Sequence, residues 1–298
     1  MTTDKITDDP IAAHRGRLMG LAYRMLGSMA DAEDVLQDAY LRYAGADRAD
    51  IRSEEAFLVT MVTRLSLDRL KSARAKREIY VGPWLPEPAP EADALSPQTA
   101  LELADDLSFA LLLTLERLSG PERAAFLLHD VFDTPFADIS AALGKSEAAC
   151  RQLAARARKA VRRERTGHSS SPDQHQELLQ RFIEAAASGD ADRLQSLLTD
   201  DAVAYSDGGG VRIAALKPVI GADKVARFFI GVVRKGVARN DRVEAVPTEL
   251  NGLPGLLIYA NGELDNAMGI DVQDGKIAAI YSVRNPEKLG ALPSHVRH

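Results

Sequence analysis

Cysteine is nearly absent: Cys150 is the only one in 298 residues. This excludes an internal disulfide framework and any cysteine-rich zinc site. Aromatic residues make up only 5%, and Trp84 is the single tryptophan. No apolar run reaches the ~18 to 20 residues needed to span a bilayer. The opening Met1-Thr2-Thr3-Asp4 has neither the basic lead nor the apolar core of a signal sequence. A cytoplasmic protein without membrane association is therefore expected. Histidine is missing between residues 176 and 294, which on this reading excludes a histidine-based mechanism from that stretch.

What is present is an ordinary globular mixture, 46% hydrophobic and 27% charged, in a chain long enough for two or three domains. The net charge of −6 argues against a nucleic-acid binder until its distribution is read. Within residues 64–77, Arg64, Arg69, Lys71, Arg74, Lys76 and Arg77 stand against Asp68 alone. Within residues 151–165, Arg151, Arg156, Arg158, Lys159, Arg162, Arg163 and Arg165 stand against Glu164 alone. Acids dominate elsewhere, above all in Asp31-Ala32-Glu33-Asp34 and Asp38. Two separate basic helices in an acidic chain point to two places where phosphates are met, although a solvated helix face has the same composition.

Residues 10–79 read as helical throughout. Leu18, Leu21, Ala22, Met25 and Leu26 keep the three-and-four spacing of a buried stripe, continued by Val35, Leu36, Ala39 and Tyr40. Ser53 before Glu54 and Glu55 is a good helix start, since the hydroxyl caps free amides and the acids suit the dipole. That helix runs through Phe57, Met61, Leu65 and Leu70 into the first basic cluster. Pro83, Pro86, Pro88, Pro90 and Pro97 then break the pattern. Trp84, in Trp84-Leu85-Pro86-Glu87-Pro88, should dock on something, because an exposed indole forfeits its burial. Helix resumes over 101–165. Ser119-Gly120-Pro121-Glu122 fits a capping box, Thr134-Pro135 opens a short helix with Pro135 in its first position, and Gly144 stops it. Ser146 caps a final helix of about 17 residues. A short helix, a glycine turn and a longer basic helix make a helix-turn-helix. In the last helix Cys150, Leu153, Ala154, Ala157 and Val161 form the apolar stripe, leaving Glu147, Arg151, Gln152, Arg158, Lys159 and Arg162 outward.

After a serine-rich linker over 166–173 the pattern changes. Helices near 174–187, 190–198 and 221–233 accompany strands near 201–206, 243–250, 255–261, 264–273 and 276–283. Turn signals stand at Asn251-Gly252, Asn261-Gly262 and Asp274-Gly275. Helices followed by a meander argue for an α+β domain with a curved antiparallel sheet. Asp200, Asp201, Asp207, Asp265 and Asp271 supply carboxylates, and Tyr205, Tyr259 and Tyr281 donors, but no spacing selects a catalytic pair. Asp207-Gly208-Gly209-Gly210 is either an anion nest without the Lys-Ser/Thr of a phosphate loop, or a loop that docks on another domain.

With these residues in place, a family resemblance is visible. Asp31-Ala32-Glu33-Asp34-Val35-Leu36-Gln37-Asp38-Ala39-Tyr40 and then Phe57 to Arg77 resemble conserved region two of extracytoplasmic function (ECF) sigma factors. Leu118-Ser119-Gly120-Pro121-Glu122-Arg123 and Phe136 to Arg163 resemble region four. The tail is similar to the SnoaL-like (NTF2-like) domain fused to one ECF subgroup. Three of that subgroup's short signatures occur in order: Trp84-Leu85-Pro86-Glu87-Pro88, Asp207-Gly208-Gly209-Gly210 and Asn285-Pro286-Glu287-Lys288-Leu289. The chain departs at Val211, where the subgroup usually has a basic residue, and at Glu287, where it usually has Asp. The implied architecture is multidomain, with two all-α modules followed by an α+β cone: region two over 1–80, a Pro-rich linker over 81–104, region four over 105–166, a linker over 167–174, and the SnoaL-like domain over 175–298.

The resemblance also implies roles. Asp31, Glu33, Asp34, Gln37 and Asp38 are the candidates for holding core RNA polymerase. Arg64, Arg69, Lys71, Arg74, Lys76 and Arg77 would track the minus-ten strand, with a flipped base received by the connection 44–52, where aromatics for stacking are few. At the amino end of the recognition helix Ser146, Glu147, Arg151, Gln152 and Ala155 would meet the minus-thirty-five element, with Arg156, Arg158 and Lys159 on phosphates. Trp84, Leu85, Pro86, Asp207, Gly208, Gly209, Gly210, Asn285, Pro286, Glu287, Lys288 and Leu289 would form a regulatory clasp. Core polymerase and promoter DNA are the expected partners, with no catalytic residues, metal or cofactor, a small ligand in the tail's cone left open, and a monomer when free. Two other readings stay open: a one-component helix-turn-helix regulator with a ligand-sensing tail, and a SnoaL-type enzyme with a DNA-targeting appendage.

Overall fold

The computed structural model describes residues 10–46, 51, 53–90, 107–165 and 171–295. Most of the connection 44–52, Pro97 and residues 166–170 of the serine-rich linker lie outside the described residues. The described residues group into two compact units. One comprises those up to Lys76 and those of Thr114–Glu164; the other comprises those of Arg77–Glu91, Leu107–Leu113 and Arg165–His298.

The first unit is helical. α1 (Pro10–Leu26) and α2 (Met29–Ala44) pack along the expected stripe, with Leu18, Leu21, Ala22, Met25, Leu26, Val35, Leu36 and Ala39 buried. Tyr40 is an exception at 44% exposure. The row four residues on from Ala39 faces inward instead, so Tyr43 is the buried aromatic, edge-on to Phe57 at 6.2 Å. α3 (Glu54–Glu78) starts on the Ser53 hydroxyl, which accepts from the Ala56 amide at 3.3 Å. α4 (Phe109–Glu116) leads to α5 (Gly120–Phe126), where the Ser119–Glu122 capping box is present in both directions. A π-helical turn, Leu127–Val131, continues α5. Nothing in the residue pattern signalled it. α6 (Phe136–Leu143) has Pro135 as its N-cap, one position earlier than expected, and ends on left-handed Gly144. α7 (Glu147–Arg165) buries Cys150, Leu153, Ala154, Ala157 and Val161.

The second unit is α+β. α8 (Pro172–Ser188), α9 (Ala191–Ser196) and α10 (Ala222–Ala238) lie on one face of a six-stranded sheet, with Phe182 edge-on to Phe229 at 5.0 Å. The strands are β1 (Leu198–Asp207), β2 (Val219–Ile220), β3 (Val243–Leu250), β4 (Leu253–Ala260), β5 (Glu263–Gln273) and β6 (Lys276–Val283), in the order β2-β1-β6-β5-β4-β3. The three hairpin turns, Asn251-Gly252, Asn261-Gly262 and Asp274-Gly275, take positive φ at both residues, the geometry that matches strand twist. One pairing departs from the expected antiparallel sheet: β1 and β6 run parallel. The chain leaves β1, crosses through α10 and the β3–β5 meander, and returns beside β1, a non-local pairing that local turn signals do not encode. The opposite sheet face is covered by the chain's own linker segments: Leu85 and Phe109 join Tyr259, Tyr281, Leu289 and Leu292 in a second core. Among the described residues no helix is long and apolar enough to cross a membrane.

Candidate functional site

In the first unit the basic cluster of α3 is partly committed to holding the unit together. Arg64 donates to the Ala142 and Ala141 carbonyls at 3.1 and 2.6 Å, the unsatisfied end of α6. Arg69 joins Asp31 at 2.8 Å and Asp34, so two of the five candidates on α2 are tied to one of the six basic candidates on α3. Lys71 pairs with Asp68 at 2.8 Å on the surface. The side chains of Arg74 and Lys76 lie outside the described residues, and Arg77 belongs to the second unit. On α2, Glu33, Gln37 and Asp38 are exposed, and Leu41, one turn from Gln37, extends that face with apolar surface the sequence reading did not include.

Two arginines that sequence reasoning passed over join the helical modules inside this unit. Arg123 is buried, donating to the Met25 carbonyl at 2.5 Å and to Glu116 at 3.0 Å. Arg17 donates to the Phe132 carbonyl at 2.6 Å and pairs with Glu55 at 3.1 Å. Arginine serves both places because its fork reaches a carbonyl and a carboxylate together.

On α7, Ser146 caps the amide of Ala149 at 3.3 Å. Glu147 and Arg151 pair with each other at 2.5 Å, and the Arg151 guanidinium stands 5.2 Å from the Phe136 ring centre. Gln152, Ala155 and Lys159 are exposed. Arg156 reaches Glu122 at 2.8 Å, and with the Ser119 hydroxyl it holds the Glu122 carboxyl below the ordinary range, the hydroxyl bond being the larger cause. Arg158 corrects the outward reading: it is half-buried and grips Asp130 at 2.6 Å. Asp130 sits in the π-helical turn, whose extra residue per turn changes which side chains face α7.

In the second unit the three short signatures meet at one carboxylate. Asp207, at the end of β1, is fully buried and accepts from the Tyr80 hydroxyl at 2.6 Å, the Leu85 amide at 2.9 Å, the Gly209 amide at 3.0 Å and Lys288 Nζ at 2.6 Å. Lys288 also donates to the Leu85 carbonyl at 2.5 Å. The Trp84 ring carries two cations against it, Arg77 at 3.7 Å and Lys288 at 4.2 Å from its centre. Burial drives the Lys288 ammonium down to about 8 in spite of Asp207. Burial, reinforced by Asp207, pushes the Tyr80 hydroxyl up. Asn285 donates to Tyr80 at 2.9 Å and accepts from the Glu287 amide at 3.1 Å. Leu85, Pro86 and Leu289 are buried, while Pro286 and Glu287 are exposed.

The glycines explain themselves by what a side chain would meet. A Cβ on Gly208 would lie 2.1 Å from the Arg212 carbonyl oxygen, and one on Gly209, at φ +62°, 2.4 Å from the Asn285 side chain. Gly210 packs on Val81. The Gly209 amide that an anion nest would offer is taken by Asp207 itself, so the loop docks on the linker.

The remaining carboxylates of the tail are dispersed. Asp265 pairs with Arg284 at 2.7 Å, and Asp200 and Asp201 are exposed. Tyr281 stacks between Phe109 and Tyr205, and Tyr259 bonds the Pro293 carbonyl. The exclusion of histidine fails by one residue. His175, in α8, is buried beside Asp271, its ring bonded to the Pro254 carbonyl and its Nε2 without a partner among the described residues, and burial lowers its pKa.

Comparison with known proteins places this geometry. Residues 11–76 match the model for Sigma-70 region 2, and residues 108–161 that for Sigma-70, region 4. The chain is 42% identical over 290 residues to the ECF RNA polymerase sigma factor SigJ of Mycobacterium tuberculosis, covering 94% of this chain and 92% of that one. It is 34% identical to the probable ECF RNA polymerase sigma factor SigI of the same organism, covering 95% and 96%. The crystal structure of M. tuberculosis SigJ superposes with a TM-score of 0.73 at 37% identity, over 96% of this chain and 99% of that one. With sigma regions two and four both matched, and relatives aligned from end to end, the chain belongs to the ECF RNA polymerase sigma factors.

Proposed function

We propose that in this sigma factor the first unit does the promoter work and the SnoaL-like tail tunes it from within the same chain. As a sigma factor the protein binds core RNA polymerase and directs promoter-specific initiation, and it contributes no enzymatic step. It acts in the cytoplasm as a monomer until it meets polymerase. Region two extends over 1–80 and region four over 105–166; the tail occupies 175–298. On α2, Glu33, Gln37 and Asp38 meet polymerase directly, and Asp31 and Asp34 join them when Arg69 is drawn away. On α3, Lys71, Arg74 and Lys76 follow the minus-ten strand, with Arg64 and Arg69 available once their internal bonds are exchanged for phosphates. On α7, Arg151 and Gln152 read the minus-thirty-five element, and Arg156 and Lys159 meet its backbone.

The observation that supports tuning in cis is the Asp207 clasp. It fastens the Tyr80–Leu85 segment, which follows α3 directly, to the tail through hydrogen bonds from the Tyr80 hydroxyl and the Leu85 amide to Asp207 and from Lys288 to the Leu85 carbonyl, around the tail's own buried Asp207–Lys288 ion pair. A chain held there has fewer arrangements open to it than one released, so the clasp biases the equilibrium between closed and open forms. Run-off transcription with core polymerase, comparing the full chain with a version ending before Asn285, tests this. Different promoter output supports the clasp as regulator; identical output from both rejects it.

A further inference from the structure

Beside the clasp lies an apolar and basic surface that no described residue covers. Ile79 and Val81, directly after α3, are 82% and 52% exposed, and Val211, Ile213 and Leu216, between β1 and β2, are 71%, 82% and 68% exposed. They form one patch: a Cβ on Gly210 would stand 3.3 Å from Val81, and one on Gly82 would stand 3.7 Å from the Leu216 backbone. The loop is built rather than loose. The Val211 and Arg212 amides donate to the Gly208 carbonyl at 3.0 and 2.9 Å, and Arg284, itself held by Asp265, donates to the Ile213 carbonyl. Arg212 and Lys217 flank the tip, both exposed and without an ion-pair partner among the described residues. A concentrated apolar set of this kind on a soluble surface marks an interaction site.

We infer that this loop is a promoter-DNA contact supplied by the C-terminal unit, its apolar tip meeting unstacked bases while Arg212 and Lys217 meet phosphates. Two observations favour DNA. The rim charges are positive and have no ion-pair partner among the described residues, and the nearby carboxylates are spent, Asp265 on Arg284 and Asp207 on Lys288. Ile79 follows α3 with no intervening residue, so the patch continues in the chain the helix that carries the first basic cluster. Val211, where the subgroup usually has a basic residue, fits as an apolar member of the tip.

The inference rests on the sigma-factor reading, so its test uses holoenzyme that has first been shown to initiate from a promoter selected for this protein. If wild-type chain with core polymerase initiates nowhere, it is the sigma reading that fails. With active holoenzyme, equilibrium binding to a forked promoter fragment is measured over a salt series. Arg212→Ala with Lys217→Ala is expected to lower the slope of log affinity against log salt by about 1.4 to 1.8, at ~0.7 to 0.9 for each phosphate no longer neutralised, and Val211→Arg to raise it by about 0.7 to 0.9. A photocrosslinking residue at Ile213 is expected to label a promoter strand. Slopes that coincide with wild type, or a cross-link that reaches only a polymerase subunit or the chain itself, or no cross-link, overturn the inference. So does binding to anionic vesicles that the double variant loses while promoter slopes stay unchanged, which assigns the patch to a lipid surface.

Discussion

Replacing Asp207 by asparagine removes one charge from a site with no exposure and four donors. Lys288, whose side chain is 12% exposed, is left buried with an amide oxygen in place of its carboxylate partner. Removing one partner of a buried ion pair costs about 3 to 5 kcal/mol, and asparagine keeps an acceptor, so the lower end, about 3 kcal/mol, is expected for the docked linker. At about 1.4 kcal/mol per factor of ten, this opens the linker roughly 100-fold more often. Two probes read it. The Leu85 amide, which donates to Asp207 at 2.9 Å, should exchange with solvent about 100-fold faster. Trp84, the single tryptophan, reports directly because Arg77 and Lys288 lie against its ring, so its emission should shift toward that of a solvated indole at lower urea. Unchanged Leu85 protection together with an unchanged Trp84 transition would refute the view that Asp207 holds the linker.

Three further outcomes follow from the same structure. Burial lowers Lys288 to about 8 from the ordinary ~10.4; between those values the chain with its linker released from Lys288 binds more protons than the docked form. Docking should therefore strengthen by about 3 kcal/mol as pH rises through that window, and weaken again above about 10, where released Tyr80 ionises before docked Tyr80 does; Trp84 urea midpoints at three pH values check both signs. Arg158→Ala strands the mostly buried Asp130 and should destabilise the first unit by about 2 kcal/mol, whereas Arg156→Ala, breaking an exposed pair, should cost under about 1 kcal/mol; thermal denaturation separates them, and equal costs would contradict the Arg158 assignment. Arg151→Ala should relax base preference at one position and weaken promoter binding by about 1 to 3 kcal/mol, and an unchanged preference in binding-site selection would rule that role out.

Local chemistry carried most of the fold into the sequence. Ser119 with Glu122, Ser146, Gly144 and the three Asx-Gly turns each act through atoms within four residues, so spacing alone reveals them. The parallel β1–β6 pair and the π-helical turn depend on distant packing and left no local mark. The clasp was legible as three short signatures, but their convergence on Asp207 was not, because the Leu85 amide and Asp207 are 122 residues apart. Charge was the least legible property. Arg64, Arg69 and Arg158 read as outward cations by composition, and each is bound to a carbonyl or carboxylate that only the tertiary arrangement brings near. His175 stands one residue before the histidine-free stretch and escaped notice for that reason.

The measurement closest to the central claim is run-off transcription by core polymerase from a promoter selected for this protein, with the full chain and with residues 1–168 in parallel. Transcription that requires the protein, with an output that differs between the two forms, is the predicted result. Specific DNA binding with no initiation by either form would contradict it.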